Sequence, residues 1–112
     1  MIIAVNIDGD VVGGGLGRAQ TMAIAEVKDG QIASWQEESV RWDIAHEQVE
    51  SGAVTGGSHH ARIVKFLREH KVEAVIAGHV GPPMMHTLEL LGVRVVIATG
   101  SARQAVLDAA QP

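Results

Sequence analysis

Six histidines and no cysteine set the metal chemistry open to this 112-residue chain. Disulfides, thiolate nucleophiles and Cys-held zinc or iron-sulfur sites all drop out, so any metal would have to be met by imidazole, thioether or carboxylate. Imidazole is a borderline ligand suited to zinc, copper, iron and nickel, and it can equally take an exposed coordination position of a metal cofactor. The candidates are His46, His59, His60, His79 and His86, with His70 set apart in the pattern developed below. A single loop histidine is more often solvated or hydrogen-bonded than ligating, so the weight falls on the group rather than on any one ring. Met84 and Met85 add thioethers beside His79 and His86, which would favour a thiophilic metal or cluster. Met84 shares a helical stripe with Leu88 and Leu91 and is expected in the core.

Other chemistries have less support. Gly13, Gly14, Gly15, Leu16, Gly17 and Arg18 resemble a dinucleotide fingerprint, but the segment precedes a strand pattern rather than a helix, which excludes a Rossmann phosphate loop. It reads instead as a mobile backbone able to close over a ligand, with Arg18 available to an anionic group. Thr99, Gly100 and Ser101 at a helix start offer backbone N–H groups to an anion, as every helix start does. Asp8 and Asp10 close the first strand, yet no carboxylate occurs between Glu73 and Glu89, so a two-metal carboxylate cluster cannot be assembled. Ser58 and Ser101 lack an elbow motif and a paired base. An enzyme is not expected.

Composition narrows the partners. Nine Lys and Arg against thirteen Asp and Glu give a net charge of −4, and Trp35, Trp42 and Phe66 are the aromatics. There is neither a basic phosphate track nor a stacking platform for nucleic acid. With 46% apolar residues the chain can bury a core as one domain over residues 1–112. No apolar run approaches the roughly 18 residues of a membrane span, and the N-terminal residues lack the basic start of a signal peptide, so a cytoplasmic location is expected.

The elements that must position these residues follow from patterning. Residues 2–7 read as a buried strand interrupted only by Asn6 and closed by Asp8, Gly9 and Asp10. Residues 21–27 and 31–40 flank Lys28, Asp29 and Gly30 and should pair as an antiparallel hairpin. Residues 41–57 read as a loop with at most one helical turn. Ser58 is a plausible N-cap, and His60, Ile63, Val64 and Leu67 mark one face of a helix ending near His70. Residues 72–77 form a strand closed by Gly78. Pro82 and Pro83 open a second helix that Gly92 stops, residues 93–98 form the last strand, and Ala102, Ala105, Val106 and Ala109 mark a third helix.

Two successive strand–helix units require a parallel sheet covered by helices, with the hairpin at one edge. A helix feeding a parallel strand runs against it, so the start of the Ser58 helix belongs beside the carboxyl end of strand 72–77. That rule gathers residues 57–60, 78–86, 98–101 and 8–18 at the sheet edge where open α/β domains place ligands. His70 falls at the opposite end. His60 is the best placed, on the core stripe, whereas His59 is expected to face solvent.

The residues also resemble a known family along nearly the whole chain. The matching features are Gly17, Arg18 and Ala19 after the glycine-bearing loop, the hairpin carrying Val27, Lys28, Asp29, Gly30, Gln31 and Ile32, and Val75, Ile76, Ala77 and Gly78 followed by Gly81 and Pro82. Leu91, Gly92, Val93, Arg94 and Val95 continue the match, which ends on Gly100, Ser101, Ala102, Arg103, Gln104 and Ala105. In order and spacing they resemble the dinitrogenase iron-molybdenum cofactor biosynthesis family. The resemblance implies an α/β three-layer RNase H-like domain: a mixed five-stranded sheet in which the second long strand runs against the others, an antiparallel hairpin and three helices. It also implies non-catalytic carriage of a metal ion or an iron-sulfur or iron-molybdenum type cluster, with Gly17, Arg18, Gly78, Gly81 and Met85 on the cofactor. Where many members carry a His and an aromatic before Gly-Arg-Ala, this chain has Gly15 and Leu16, and it has His79 where many carry Asn. The first-loop His of those members is therefore absent, and His46, His59, His60, His79 and His86 are expected to form a different metal site.

Three readings compete: a metallocofactor carrier that hands its load to a receiving protein, a binding module for a small anionic metabolite using Arg18, and a protein interaction domain. A homodimer through the hairpin edge or an exposed helix belongs with the last.

Overall fold

The computed structural model describes residues 1–50, 52 and 56–111, the side chains of residues 46, 47, 49 and 50 excepted. The chain forms β1 (Ile2–Asp8), β2 (Val11–Val12), β3 (Thr21–Lys28), β4 (Gln31–Ser39), α1 (Trp42–Glu50), α2 (Gly56–Glu69), β5 (Ala74–Ala77), α3 (Pro82–Leu90), β6 (Arg94–Ile97) and α4 (Ala102–Ala110), with a 3-10 turn at Leu16–Arg18. The sheet order is β4-β3-β1-β5-β6, with β2 paired to β1. β3 is antiparallel to β1 and β4, whereas β5 and β6 run parallel to β1, so β3 alone of the long strands opposes the rest.

Alternation along β1 explains the layers. Ile3, Val5 and Ile7 point to one face, where they meet Ala23, Ala25, Val27, Ala74 and Ile76 beneath the Ala102, Ala105, Val106 and Ala109 stripe of α4. Ala4 points to the other face, with Met22 and Val75, under Ile63 and Leu67 of α2 and Met84 and Leu88 of α3. The expected three layers and mixed sheet are therefore present, with α4 the one helix on its face among the described residues. Asp29 and Gly30 both take positive φ, 54° and 75°, the geometry of a two-residue hairpin turn matched to strand twist. Gly92, at φ 74°, ends α3 as its position suggests.

The counts differ from expectation: among the described residues, six strands and four helices replace five and three. The extra strand arises because the turn after Asp8 folds the chain back, pairing Asp8 with Val11 and Ile7 with Val12. The extra helix, α1, occupies ground read as loop. Trp42 and Ala45, three apart, are buried at 4% exposure, whereas Ile44 is 44% exposed. One buried pair three residues apart is too short a pattern to mark a helical face in the sequence. The α1 helix is anchored by Trp42 N–H donating to the Ala19 carbonyl at 2.8 Å, and the Trp42 ring meets Phe66 of α2 edge-on at 5.3 Å. Hydrogen bonds from Arg41 hold the Asp43 carboxyl below the usual carboxylate range in its first turn.

Ser101 caps α4, its Oγ accepting from Gln104 N–H at 3.2 Å. Ser101→Ala is expected to cost about 1 kcal/mol, read as a lower urea midpoint at unchanged slope. An unshifted midpoint would show that the cap contributes nothing. Among the described residues no helix is long and apolar enough to cross a membrane.

Candidate functional site

The histidine pocket is built by three chain segments that sequence places far apart. The first is the strap of residues 13–18, which crosses the carboxyl ends of β1 and β5. Gly78 N–H reaches the Gly13 and Gly14 carbonyls, both at 2.9 Å, and Leu16 N–H donates to His79 O at 2.9 Å. Gly15 pairs with His79 as an isolated parallel bridge. A Cβ on Gly78 would lie 2.7 Å from Gly13 O, so the strap approaches β5 more closely than any side chain permits. The segment read as a mobile loop is thus hydrogen-bonded across its length. Gly13 and Gly78 serve close approach, a Cβ on either lying 2.7 Å from a neighbouring atom.

The second segment is the first turn of α2, and the third is the β5–α3 connection. Together the three line a cavity of about 410 Å³ whose walls include Gly17, Arg18, His59, His60, His79 and Gly81 over a floor of Ile63, Val80 and Met84. Among the described residues no aspartate or glutamate lines it. His59 and His60 stand with ring centroids 6.2 Å apart, tilted at 46°. A Cβ at Gly17 would meet His59 Nε2 at 3.4 Å, which puts that nitrogen against the strap.

Burial reverses the expected order of the paired histidines. His59 is 5% exposed and shares the buried face of α2 with Ile63 and Leu67, at steps of four, while His60 is half-buried. His79 is exposed at the rim. Taking His60 as the stripe residue misplaced the face by one position, because His59, Ile63 and Leu67 fit the four-residue step equally well.

The sequence profile of the dinitrogenase iron-molybdenum cofactor family matches residues 1–111. The chain belongs to that family. Its fold is also that of solved structures at low identity. PH0822 matches with a TM-score of 0.71 at 16% identity, over 97% of this chain and 88% of that one. The apo orange protein of Desulfovibrio gigas gives 0.65 at 23%, over 99% and 90%. The MJ0327 protein of Methanocaldococcus jannaschii gives 0.62 at 15%, over 96% and 84%. No curated protein matches.

Within this dinitrogenase iron-molybdenum cofactor family fold, the residues singled out in the sequence divide into groups. Gly17, Arg18, His59, His60, His79 and Gly81 meet at the pocket, and Gly78 stands behind the strap. His86 is exposed on α3 and Met85 packs half-buried against the core, and neither lines the cavity, whereas Met84 does. His46 lies on α1, and its side chain is outside the described residues. Thr99 and Ser101 line a different cavity, with Arg94 and Asp108, between β6 and α4. The sheet separates it from the histidines because α4 covers the opposite face. Asp8 borders a third hollow behind the strap. His70 lies away from the pocket, its Nε2 3.1 Å from Glu38 Oε2. Among the described residues no group of three or more His, Asp or Glu stands close enough to hold a metal ion. The polar residue that sequence reasoning passed over is Asn6, visible only as the lone interruption of an apolar strand.

Proposed function

We propose that this protein is a non-catalytic carrier of an iron-sulfur or iron-molybdenum type cofactor, or of its precursor, bound in the histidine pocket of a domain read as RNase H-like and passed to a receiving protein. One observation carries the reading: His59, His60, His79 and Arg18, drawn from three separate segments, line one cavity with no carboxylate among its described lining residues. Family membership supports the same cargo.

The donor set suits a cluster better than a bare ion. A closed site for one ion needs about four converging donors, and no such group exists among the described residues. A cluster presents several metals over a wider surface, so imidazoles spread around a 410 Å³ cavity can each take one position. Gly15 and Gly81 leave open space where a Cβ would stand, which lets a bulky ligand approach the backbone. Arg18, exposed at the mouth, adds positive charge in a chain whose net charge is −4. The bound group would supply redox-active metal and bridging sulfide, and the chain supplies binding, orientation and partial exclusion of water.

The test is anaerobic expression without a His tag, followed by metal and acid-labile sulfide analysis. The His60→Ala/His79→Ala double variant should retain a small fraction of the wild-type content, while His86→Ala, outside the cavity, should match wild type. Equal content in the double variant and wild type would refute the assignment.

A further inference from the structure

Asn6 and His59 are the buried polar side chains among the described residues, and Asn6, at 3% exposure, is the one on the sheet. It sits on β1 beside Ala4 and Val5, where a polar amide is costly unless its hydrogen bonds are met. They are met by the strap. Asn6 Nδ2 donates to the carbonyls of Gly14 and Gly15, both at 3.2 Å, and its main-chain carbonyl accepts from Gly13 N–H at 2.8 Å. The fit is reciprocal, since a Cβ on Gly13 would lie 2.7 Å from Asn6 Oδ1.

Each strap carbonyl held by Asn6 is also tied to the pocket side. The Gly14 carbonyl accepts from Gly78 N–H, and the Gly15 carbonyl accepts from Arg18 N–H at 3.1 Å in the 3-10 turn. The next residue, Leu16, is 1% exposed and donates to His79 O. A single side chain on the central strand thereby fixes the segment that forms one wall of the cavity and meets both Arg18 and His79.

From this we infer that Asn6 is the positioning residue of the histidine pocket, acting through Gly14 and Gly15 on the wall formed by residues 15–18, and that Gly13 is glycine to admit its amide. It touches no ligand itself. The inference rests on the carrier reading for what fills the pocket, but not for how the wall is held.

Two readouts separate these. Amide hydrogen exchange followed by NMR reports the strap, and anaerobic reconstitution with ferrous iron and sulfide reports the pocket. In Asn6→Ala, exchange at Leu16 and Gly78 should quicken about tenfold, the scale of one or two lost hydrogen bonds, while Ala23 and Ala25 in β3 stay protected and bound iron falls. Asn6→Asp should loosen the strap further, because a carboxylate would face two carbonyls with no donor. Asn6→Ser, retaining one donor, should lie between wild type and Asn6→Ala and gives a milder variant if the others fold poorly. Gly13→Ala should be damaging in the wild-type background and nearly neutral in Asn6→Ala, since the clashing amide is then gone. Unchanged exchange at Leu16 and Gly78 in both Asn6→Ala and Asn6→Ser, or an equal cost of Gly13→Ala in both backgrounds, would overturn the lock. A loosened strap with full iron retention would overturn its role in the pocket. If wild type takes up no iron, the carrier reading fails while the exchange data still decide how Asn6 acts.

Discussion

Gly78→Ala should lose on the order of 3 kcal/mol of folding stability, with the histidine pocket lost along with it. The new Cβ would sit 2.7 Å from Gly13 O and 3.3 Å from Gly14 Cα, and both are backbone atoms that cannot rotate aside. Relief requires moving the strap, which breaks the two hydrogen bonds from Gly78 N–H and pulls on the Leu16 N–H bond to His79. Total stability of a domain this size is about 5–15 kcal/mol, so the loss is a large share. Gly14→Ala and Gly81→Ala are the matched controls. A Cβ at either meets nothing within 4 Å, so both should melt within about 0.5 kcal/mol of wild type. Urea unfolding of the three variants side by side is the measurement. Gly78→Ala unfolding together with Gly14→Ala would mean that the strap does not press on β5.

Much of this architecture was legible in the chain because its signals are local. The Asp29–Gly30 turn, the glycine after α3 and the proline start of α3 are each written in one or two residues, and each stands where patterning placed it, whereas Ser58, read as an N-cap, lies inside α2, which starts at Gly56. The meeting of residues 15–18, 59–60 and 79–81 at one rim followed from a topological rule rather than from any motif. What failed depended on packing between distant residues. Whether residues 42–50 form a helix was settled by Trp42 reaching Ala19 and Phe66, contacts with no sequence signature. Which of two adjacent histidines turns inward differed by one step of helical phase. The glycine strap was misread for a related reason. Glycine spacing alone does not distinguish a flexible loop from backbone packed too tightly for side chains, and the answer lay in Asn6 and Gly78, far off in sequence or on another strand.

The reversal of His59 and His60 leads to the largest expected effect on ligand binding. A donor 5% exposed on the α2 face that carries Ile63 and Leu67 competes little with water, whereas His79 at the rim is solvated whenever the ligand is absent. Electrostatic and coordinate interactions strengthen as water is excluded. His59→Leu keeps a side chain of similar size on the buried face while removing both nitrogens. It should therefore hold folding stability within about 1.5 kcal/mol of wild type yet weaken retention of the reconstituted iron-sulfur load by about 100-fold. His79→Ala should weaken it less, since its ring begins in water. Release of iron to a chelator under anaerobic conditions, timed for the two variants and wild type, ranks them directly. If His79→Ala releases its load faster than His59→Leu, the rim and not the buried wall holds the ligand.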